Sequence, residues 1–289
     1  MNRISQIYLL KAAILTFSLL SISGAGVKAA RATQTPERLA CLTPALAQWT
    51  HKLGKKKHSC VAVPDFAGVQ VDSQTLGLGN YRNLNFELLV KSKPDRILYD
   101  SSMNRMDQIH RIEAFFSKQK MIDIRASHLS ELPQLKQSLS SVFGDLPNSI
   151  VPEISEVKSV LGQGVRKMQS PILILVGVSP FIAASPRSLL GEIFQEMRFK
   201  NALSSHLEYV PILPEVFAAQ PLPYVVSFEM SDGLKLKNYE EQLEKFNLGK
   251  RYLHLPASEN VLSFRPEWWQ AVKTMKAYLD KHFNSPIGS

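Results

Sequence analysis

The sequence predicts an α/β fold of two lobes linked by a single long helix, and three observations carry that expectation. From residue 38 onward short apolar runs alternate with helical patterns, the arrangement of βαβ units feeding a largely parallel sheet. The alternation occurs twice, ending first near Phe143 and starting again at Pro171. Between the two sets Gly144-Asp145-Leu146-Pro147-Asn148 breaks the chain, and Pro152 opens a helix expected to reach Met168. The resulting boundaries are 33–148 for the first lobe, 149–168 for the connecting helix and 169–285 for the second lobe.

The elements follow in chain order. Strands are expected at Arg38–Leu42, Cys60–Val63, Arg96–Tyr99 and Met121–Ile124. Between the first two, Thr43-Pro44 supplies an N-cap and a first-turn proline, and Leu46, Trp49 and Leu53 repeat at helical spacing. Ile109, Ile112 and Phe116 mark one later helix; Leu132, Leu135, Leu139 and Val142 mark another. In the second half, the continuous apolar run Pro171–Val176 suits a strand buried on both faces, with Tyr224–Phe228 and Tyr252–Leu255 as further strands. Helices are expected at Ser188–Met197, capped by Ser185-Pro186, and at Glu267–Phe283, where Trp268, Val272, Met275, Leu279 and Phe283 form a core stripe that implies no cofactor.

Composition limits what such a fold can be. With 45% hydrophobic and 20% charged residues over 289 positions, the chain buries a core, which excludes disorder and fibre. Arg3 and Lys11 precede the apolar run Ala12–Ile22, which small residues follow, so residues 1–29 read as a secretory signal peptide, with cleavage after Ala29 or Ala32. That run is shorter than the roughly 20 apolar residues a membrane span needs, so no stable membrane insertion is expected. Removing residues 1–29 takes away three basic residues and no acidic one, lowering the formal charge from +9 to +6. The remaining basicity is scattered apart from Lys55-Lys56-Lys57, and without an aromatic-and-basic stripe it does not point to nucleic acid.

Catalytic signatures are missing. The sequence has no G-x-S-x-G elbow, H-E-x-x-H pair, phosphate loop or G-x-G-x-x-G fingerprint, and its seven histidines never pair at i,i+2 or i,i+4. No enzyme and no resident metal or cofactor is expected. Ligand sites in α/β sheets lie beyond the carboxyl ends of strands, which here places Thr43, Pro64–Phe66, Asp100–Ser102, Ser179–Ile182 and the loops around Tyr81, Tyr209 and Asn260 at a cleft between the lobes. Two cysteines exclude a disulfide-dense scaffold. Cys41 and Cys60 fall in neighbouring expected strands, and two readings stand side by side: a disulfide, if both project to one face, or two unbridged buried thiols.

The segment Asn85-Phe86-Glu87-Leu88-Leu89-Val90-Lys91-Ser92-Lys93-Pro94-Asp95-Arg96-Ile97-Leu98 resembles the signature of periplasmic binding proteins for vitamin B12 and iron–siderophores. Arg38–Pro44 with Leu53-Gly54 resembles that family's opening strand and helix, although Gln48 stands where Glu is common. Gly177–Phe181 through Ser188-Leu189-Leu190, with Asn201-Ala202, resembles the second-lobe strand and helix. Glu215–Pro221 looks like the second Glu-led helix, one residue short. The resemblance spans roughly residues 37–282.

The resemblance implies two Rossmann-like lobes joined by one helix, a periplasmic location, and a monomeric protein that captures a cobalamin or iron–siderophore type metal chelate and delivers it to the transmembrane subunits of an ABC importer. It implies Glu87 and Glu215 as the permease-docking carboxylates, one on each lobe. By the same comparison Tyr81 and Tyr209 are ligand-binding aromatics; Phe66 and Phe181 extend that wall, and Ser179, Asp100 and Asn260 add polar contacts. Arg82, Arg105 and Arg187 keep an anionic siderophore open, because guanidinium groups pair well with carboxylates. The alternatives are a metal-ion or haem binder of the same fold and an exported protein reusing the fold without transport.

Overall fold

The computed structural model describes residues 35–54, 57–65, 67–70, 72–163, 170–178, 180–215, 224–228, 241, 245, 251–255, 261 and 264–284. The expected signal peptide, Phe66, Ser179 and Asn260 lie outside them, as do residues 216–221 of the second Glu-led segment. Residues from Pro36 onward form one compact unit.

The chain is α/β, with two five-stranded sheets among the described residues. The first contains β1 (Glu37–Cys41), β2 (His58–Val63), β3 (Leu76–Gly77), β6 (Arg96–Tyr99) and β7 (Met121–Asp123), in the order β3-β2-β1-β6-β7, every pair parallel. A two-stranded hairpin, β4 (Gly79–Asn80) and β5 (Asn83–Leu84), interrupts it and turns at Tyr81-Arg82. The second sheet contains β8 (Ile172–Val178), β9 (Phe181–Ala184), β10 (Tyr209–Pro211), β11 (Tyr224–Phe228) and β12 (Tyr252–Leu255), in the order β10-β9-β8-β11-β12. Here β8, β11 and β12 are parallel, whereas β9 and β10 run antiparallel to their neighbours.

The helices are α1 (Pro44–Leu53), α2 (Phe86–Ser92), α3 (Met106–Phe115), α4 (Leu132–Phe143), α5 (Ile154–Leu161), α6 (Leu189–Glu196) and α7 (Trp268–Asn284). In the first lobe the expected strands and helices form within a residue or two of their expected bounds. The short strands β3, β4 and β5 are additional: with two residues each they show no period in the sequence. In the connecting span, Glu153 stands extended just before the helix, so α5 opens at Ile154, two residues past Pro152; Gly162 ends it after eight residues. The largest correction is in the second lobe. The span Ser179–Ile182 is expected at the carboxyl end of a strand facing the cleft, yet Val178 pairs with Phe181, and Phe181–Ala184 folds back as β9.

The Lys-Pro-Asp block has a physical reading of its own. Asn85 accepts the Leu88 amide at 3.1 Å and caps α2, and Lys93 stops the helix in the left-handed conformation (φ 44°). The Arg38 guanidinium then donates to the freed carbonyls of Ser92 (2.6 Å) and Lys93 (3.1 Å), while the Asp95 carboxylate accepts the Arg38 amide at 2.9 Å. These bonds seat β6 against β1.

One apolar core runs through both lobes. Trp49, Leu135, Leu139, Phe194, Phe228, Trp268 and Leu279 all belong to it. Burying an aromatic or leucine side chain of this kind stabilises by about 1.5–3 kcal/mol. Polar bonds tie the same surfaces together. The Trp49 indole donates to the Phe264 carbonyl at 2.7 Å, and Lys52 meets Glu267 at 2.7 Å.

Candidate functional site

A cleft of about 240 Å³ lies where the lobes meet. From the first lobe it receives Ala45, Leu46 and Trp49 of α1, Asp100, Ser102 and Met103 after β6, and Ile124, Ala126 and Ser127 after β7. Leu189, at the start of α6, joins Glu208, Tyr209 and Phe264 in forming the opposite wall.

Asp100 is built into a tight turn. Its Oδ1 accepts both the Ser102 amide (2.8 Å) and the Ser102 hydroxyl (2.5 Å), and its backbone amide donates to Asn104 Oδ1 at 3.0 Å. Burial pushes the Asp100 carboxyl above the usual carboxylate range, and nearby Asp123 adds to this against the opposing Ser102 bonds. Asp123 is itself held by the Ser101 amide (3.1 Å) and hydroxyl (2.7 Å).

Tyr209 leaves 38% of its surface exposed. Its phenol is nevertheless pushed up to about 12, first by desolvation and then by the Glu208 carboxylate. Glu208 lies 3.8 Å from His128 Nε2, and His128 Nδ1 meets Glu192 of α6 at 2.7 Å. The other Glu192 oxygen accepts the Leu129 amide at 2.7 Å, so a loop of the first lobe is bound to the first turn of a second-lobe helix.

Of the expected ligand residues, the structure brings Asp100 and Tyr209 together in this cleft. Tyr81 sits at the β4–β5 turn, half-buried, and is not among the lining residues. The buried Asn104 amide donates to the carbonyls of both Tyr81 and Leu42 at 3.0 Å, which fixes the hairpin tip beside the end of β1. Phe181 opens β9 and packs against Leu173, Leu175, Ala183 and Val225, a face of the second sheet. The arginines lie elsewhere as well: Arg82 and Arg187 are exposed, and Arg105 pairs with Asp107 at 2.7 Å.

The sequence reading missed Trp49, Met103, Ser127, Glu208 and Phe264 as cleft residues. Trp49 was legible only as a core position on α1. Glu208, as the residue before Tyr209, was within reach of the same comparison.

Glu87 is exposed in the first turn of α2, and Glu215 is exposed in a short helical turn with Pro214. Cys41 and Cys60 are separate thiols whose sulfurs lie 3.1 Å apart. Among the described residues, no group of three or more His, Cys, Asp or Glu side chains gathers as a metal site. No helix among them is long and apolar enough to cross a membrane.

No family model matches the chain, and no curated protein matches it in sequence. Solved structures do match. The periplasmic vitamin B12 binding protein BtuF of Vibrio cholerae superposes with a TM-score of 0.62 at 16% identity, covering 86% of this chain and 98% of that one. The chain has the fold of these binding proteins. IsdE of S. aureus, solved with heme, gives a TM-score of 0.61 at 16% identity over 86% of this chain and 98% of its own. The siderophore binding protein FhuD from Vibrio cholerae, bound to Fe3+–Desferal, gives 0.56 at 14% identity over 86% and 98%. Each likeness runs through both sheets, so the shared feature is the two-lobed α/β architecture that positions the cleft.

Proposed function

We propose that this chain is an exported substrate-binding protein that captures a metal chelate of the cobalamin or iron–siderophore class between its lobes and delivers it to an ABC importer. One observation carries the reading: the cleft takes side chains from both lobes, Asp100 and Met103 from one and Glu208 and Tyr209 from the other. A ligand held by both walls joins them, which suits capture and release. The fold, whose neighbours include binders of vitamin B12, heme and Fe3+–Desferal, supports the same reading.

The cleft's volume and charge narrow the ligand. At about 240 Å³ it falls below the roughly 300–1,000 Å³ usual for small-molecule sites, so a large chelate would keep part of its surface outside the described walls. Its described ionisable groups are Asp100, Glu208 and Tyr209, which favour a ligand presenting donors or positive charge over one rich in carboxylates. Amide- or hydroxamate-bearing chelates fit better than a citrate-type siderophore.

Trp49 lines the cleft, so its fluorescence reports occupancy. Titration with cyanocobalamin, haemin, ferric desferrioxamine and ferric citrate should show saturable one-to-one quenching by at least one of the first three, and weakest response to ferric citrate. No quenching and no thermal shift with any of the four would reject the capture reading.

For delivery, Glu87 and Glu215 are the docking carboxylates. Each stands by exposed apolar surface: Phe115, 59% exposed, packs edge-on against Phe86 at 5.4 Å, and Leu213 is 72% exposed. An exposed first-turn carboxylate also favours its own helix dipole by about 0.3–1 kcal/mol, so docking must be separated from folding. Glu87→Lys and Glu215→Lys should leave chelate affinity unchanged and strongly reduce uptake by cells carrying the importer. Normal uptake with both reversals together would remove the docking assignment.

A further inference from the structure

A second cavity, of about 270 Å³, lies apart from the cleft. It is lined by Ala47, Thr50 and His51 of α1, His58, Ser59 and Cys60 of β2, and Val69, Gln70, Asp72 and Thr75 beyond. Cys60 opens onto it, whereas Cys41, directly behind, is fully buried on β1.

A fault in the sheet brings these sulfurs together. Leu39 pairs with Cys60 but Ala40 pairs with Ala62, so Val61 is an extra residue and β2 is bulged. Strict alternation would put Cys60 and Ala62 on the same face. With the bulge, Cys60 joins Leu39 and Cys41 beneath α1, while Ala62 joins Ala40 and Leu42 on the opposite face. The sulfurs then lie 3.1 Å apart, and Thr50 Oγ1 contacts Cys41 Sγ at 3.2 Å. No cleft residue and no proposed docking carboxylate takes part.

We infer that Cys41 and Cys60 form an oxidisable dithiol, entered by thiol–disulfide exchange at Cys60 through the second cavity and closed by Cys41 into an intramolecular disulfide. The co-reactant is a disulfide, either a small molecule or a protein oxidoreductase. Cys60 loses its proton, and its sulfur attacks one sulfur of that reagent, breaking the reagent's S–S bond and releasing one thiolate. Cys41 loses its proton, attacks Cys60 Sγ in the mixed disulfide and expels the second thiolate. Two protons and two electrons leave the cysteines, and the reagent ends as two thiols. Hydrogen bonding to Cys41 and burial both raise the Cys60 thiol above the ordinary range, which makes the first step slow in the folded protein and gives refolding a role in closure.

The test uses glutathione disulfide as the probe on folded protein, with a parallel arm refolded in a glutathione redox buffer, read by intact mass and peptide mapping. Wild type should become about 2 Da lighter in at least the refolding arm, with Cys41 linked to Cys60 and no lasting glutathione adduct, about 305 Da heavier. Cys41→Ser should accumulate that adduct on Cys60, and folded Cys60→Ser should stay unmodified at Cys41. Reduction of the bridged protein should lower its thermal midpoint by roughly 6–12 °C, as expected for a closed loop of about 20 residues. Two free thiols after oxidative refolding, or a stable adduct on wild-type Cys60, would overturn the dithiol. Modification of folded Cys60→Ser as fast as Cys41→Ser would overturn entry at Cys60.

Discussion

The two lobes furnish the cleft by different routes. In the first lobe's five-stranded sheet every ladder is parallel, and the lining residues Asp100, Ser102, Met103, Ile124, Ala126 and Ser127 follow β6 and β7 directly, where the carboxyl ends of parallel strands place ligands. In the second lobe Glu208 and Tyr209 enter at the start of β10, the antiparallel edge of a mixed sheet. The strand-end rule therefore finds the first wall directly and reaches the second only at the loop around Tyr209. An added antiparallel edge gives the second lobe a side-chain source with its own geometry, so two walls with unlike backbones face one cleft.

The comparison breaks most sharply at the bond between the lobes. Trp49→Ala should destabilise the protein by about 3–5 kcal/mol in urea denaturation, because it empties a core site. Trp49→Phe retains most of the packing and loses the bond to the Phe264 carbonyl, for which about 0.5–1.5 kcal/mol is expected. Equal losses in the two variants would make that bond, rather than the shared core, the dominant tie.

Gly191 of α6 tests the second lobe alone. A Cβ there would lie 1.9 Å from the Ser185 carbonyl oxygen, so Gly191→Ala should cost about 1–3 kcal/mol or prevent folding. Gly177→Ala in β8, whose nearest atoms are 3.4 Å away, is the matched control and should fold normally.

Ligand binding separates the tyrosines. Tyr209→Ala should weaken chelate affinity by about 1–3 kcal/mol, whereas Tyr81→Ala, outside the lining, should shift it by less than about 0.5 kcal/mol. A larger loss at Tyr81 would extend the first wall to the hairpin tip.

The smallest effects are in pH. The Tyr209 phenol ionises at about 12 when folded and near 10 when unfolded, so it contributes a stability loss as pH rises across that window. Tyr209→Phe should flatten that part of the stability curve, and phenolate absorbance should show one fewer late titration. Asp100, held above the carboxylate range, binds its proton more tightly folded than unfolded, so its burial favours the fold less as pH rises from the unfolded value. Asp100→Asn should flatten the acid limb, as followed by thermal midpoints from pH 4 to 7.

Parallel strands were legible because they are apolar runs between punctuating residues; Arg96–Tyr99, Tyr224–Phe228 and Tyr252–Leu255 fall where expected. The Asn85–Leu98 block was legible because three of its residues have distinct local jobs: Asn85 caps α2, Lys93 is its left-handed stop and Asp95 returns a carboxylate to β1. Phe181–Ala184 was not, since four apolar residues after Ser-Pro read equally as a loop or a strand, and only pairing with β8 decides. The cleft was half legible for the same reason. Asp100 follows from its strand end and Tyr209 from resemblance, while Trp49 and Phe264 meet only through a contact 215 residues apart. The shared face of Cys41 and Cys60 depends on one bulged residue, which period-two reasoning cannot place.

Asn104 spends both hydrogens of one buried amide on two carbonyls, Leu42 at the end of β1 and Tyr81 at the hairpin tip, while its oxygen holds the Asp100 amide. Three separate segments are thus joined at one side chain. A displacement of the Asp100 turn therefore pulls on the hairpin tip through the Asn104 side chain.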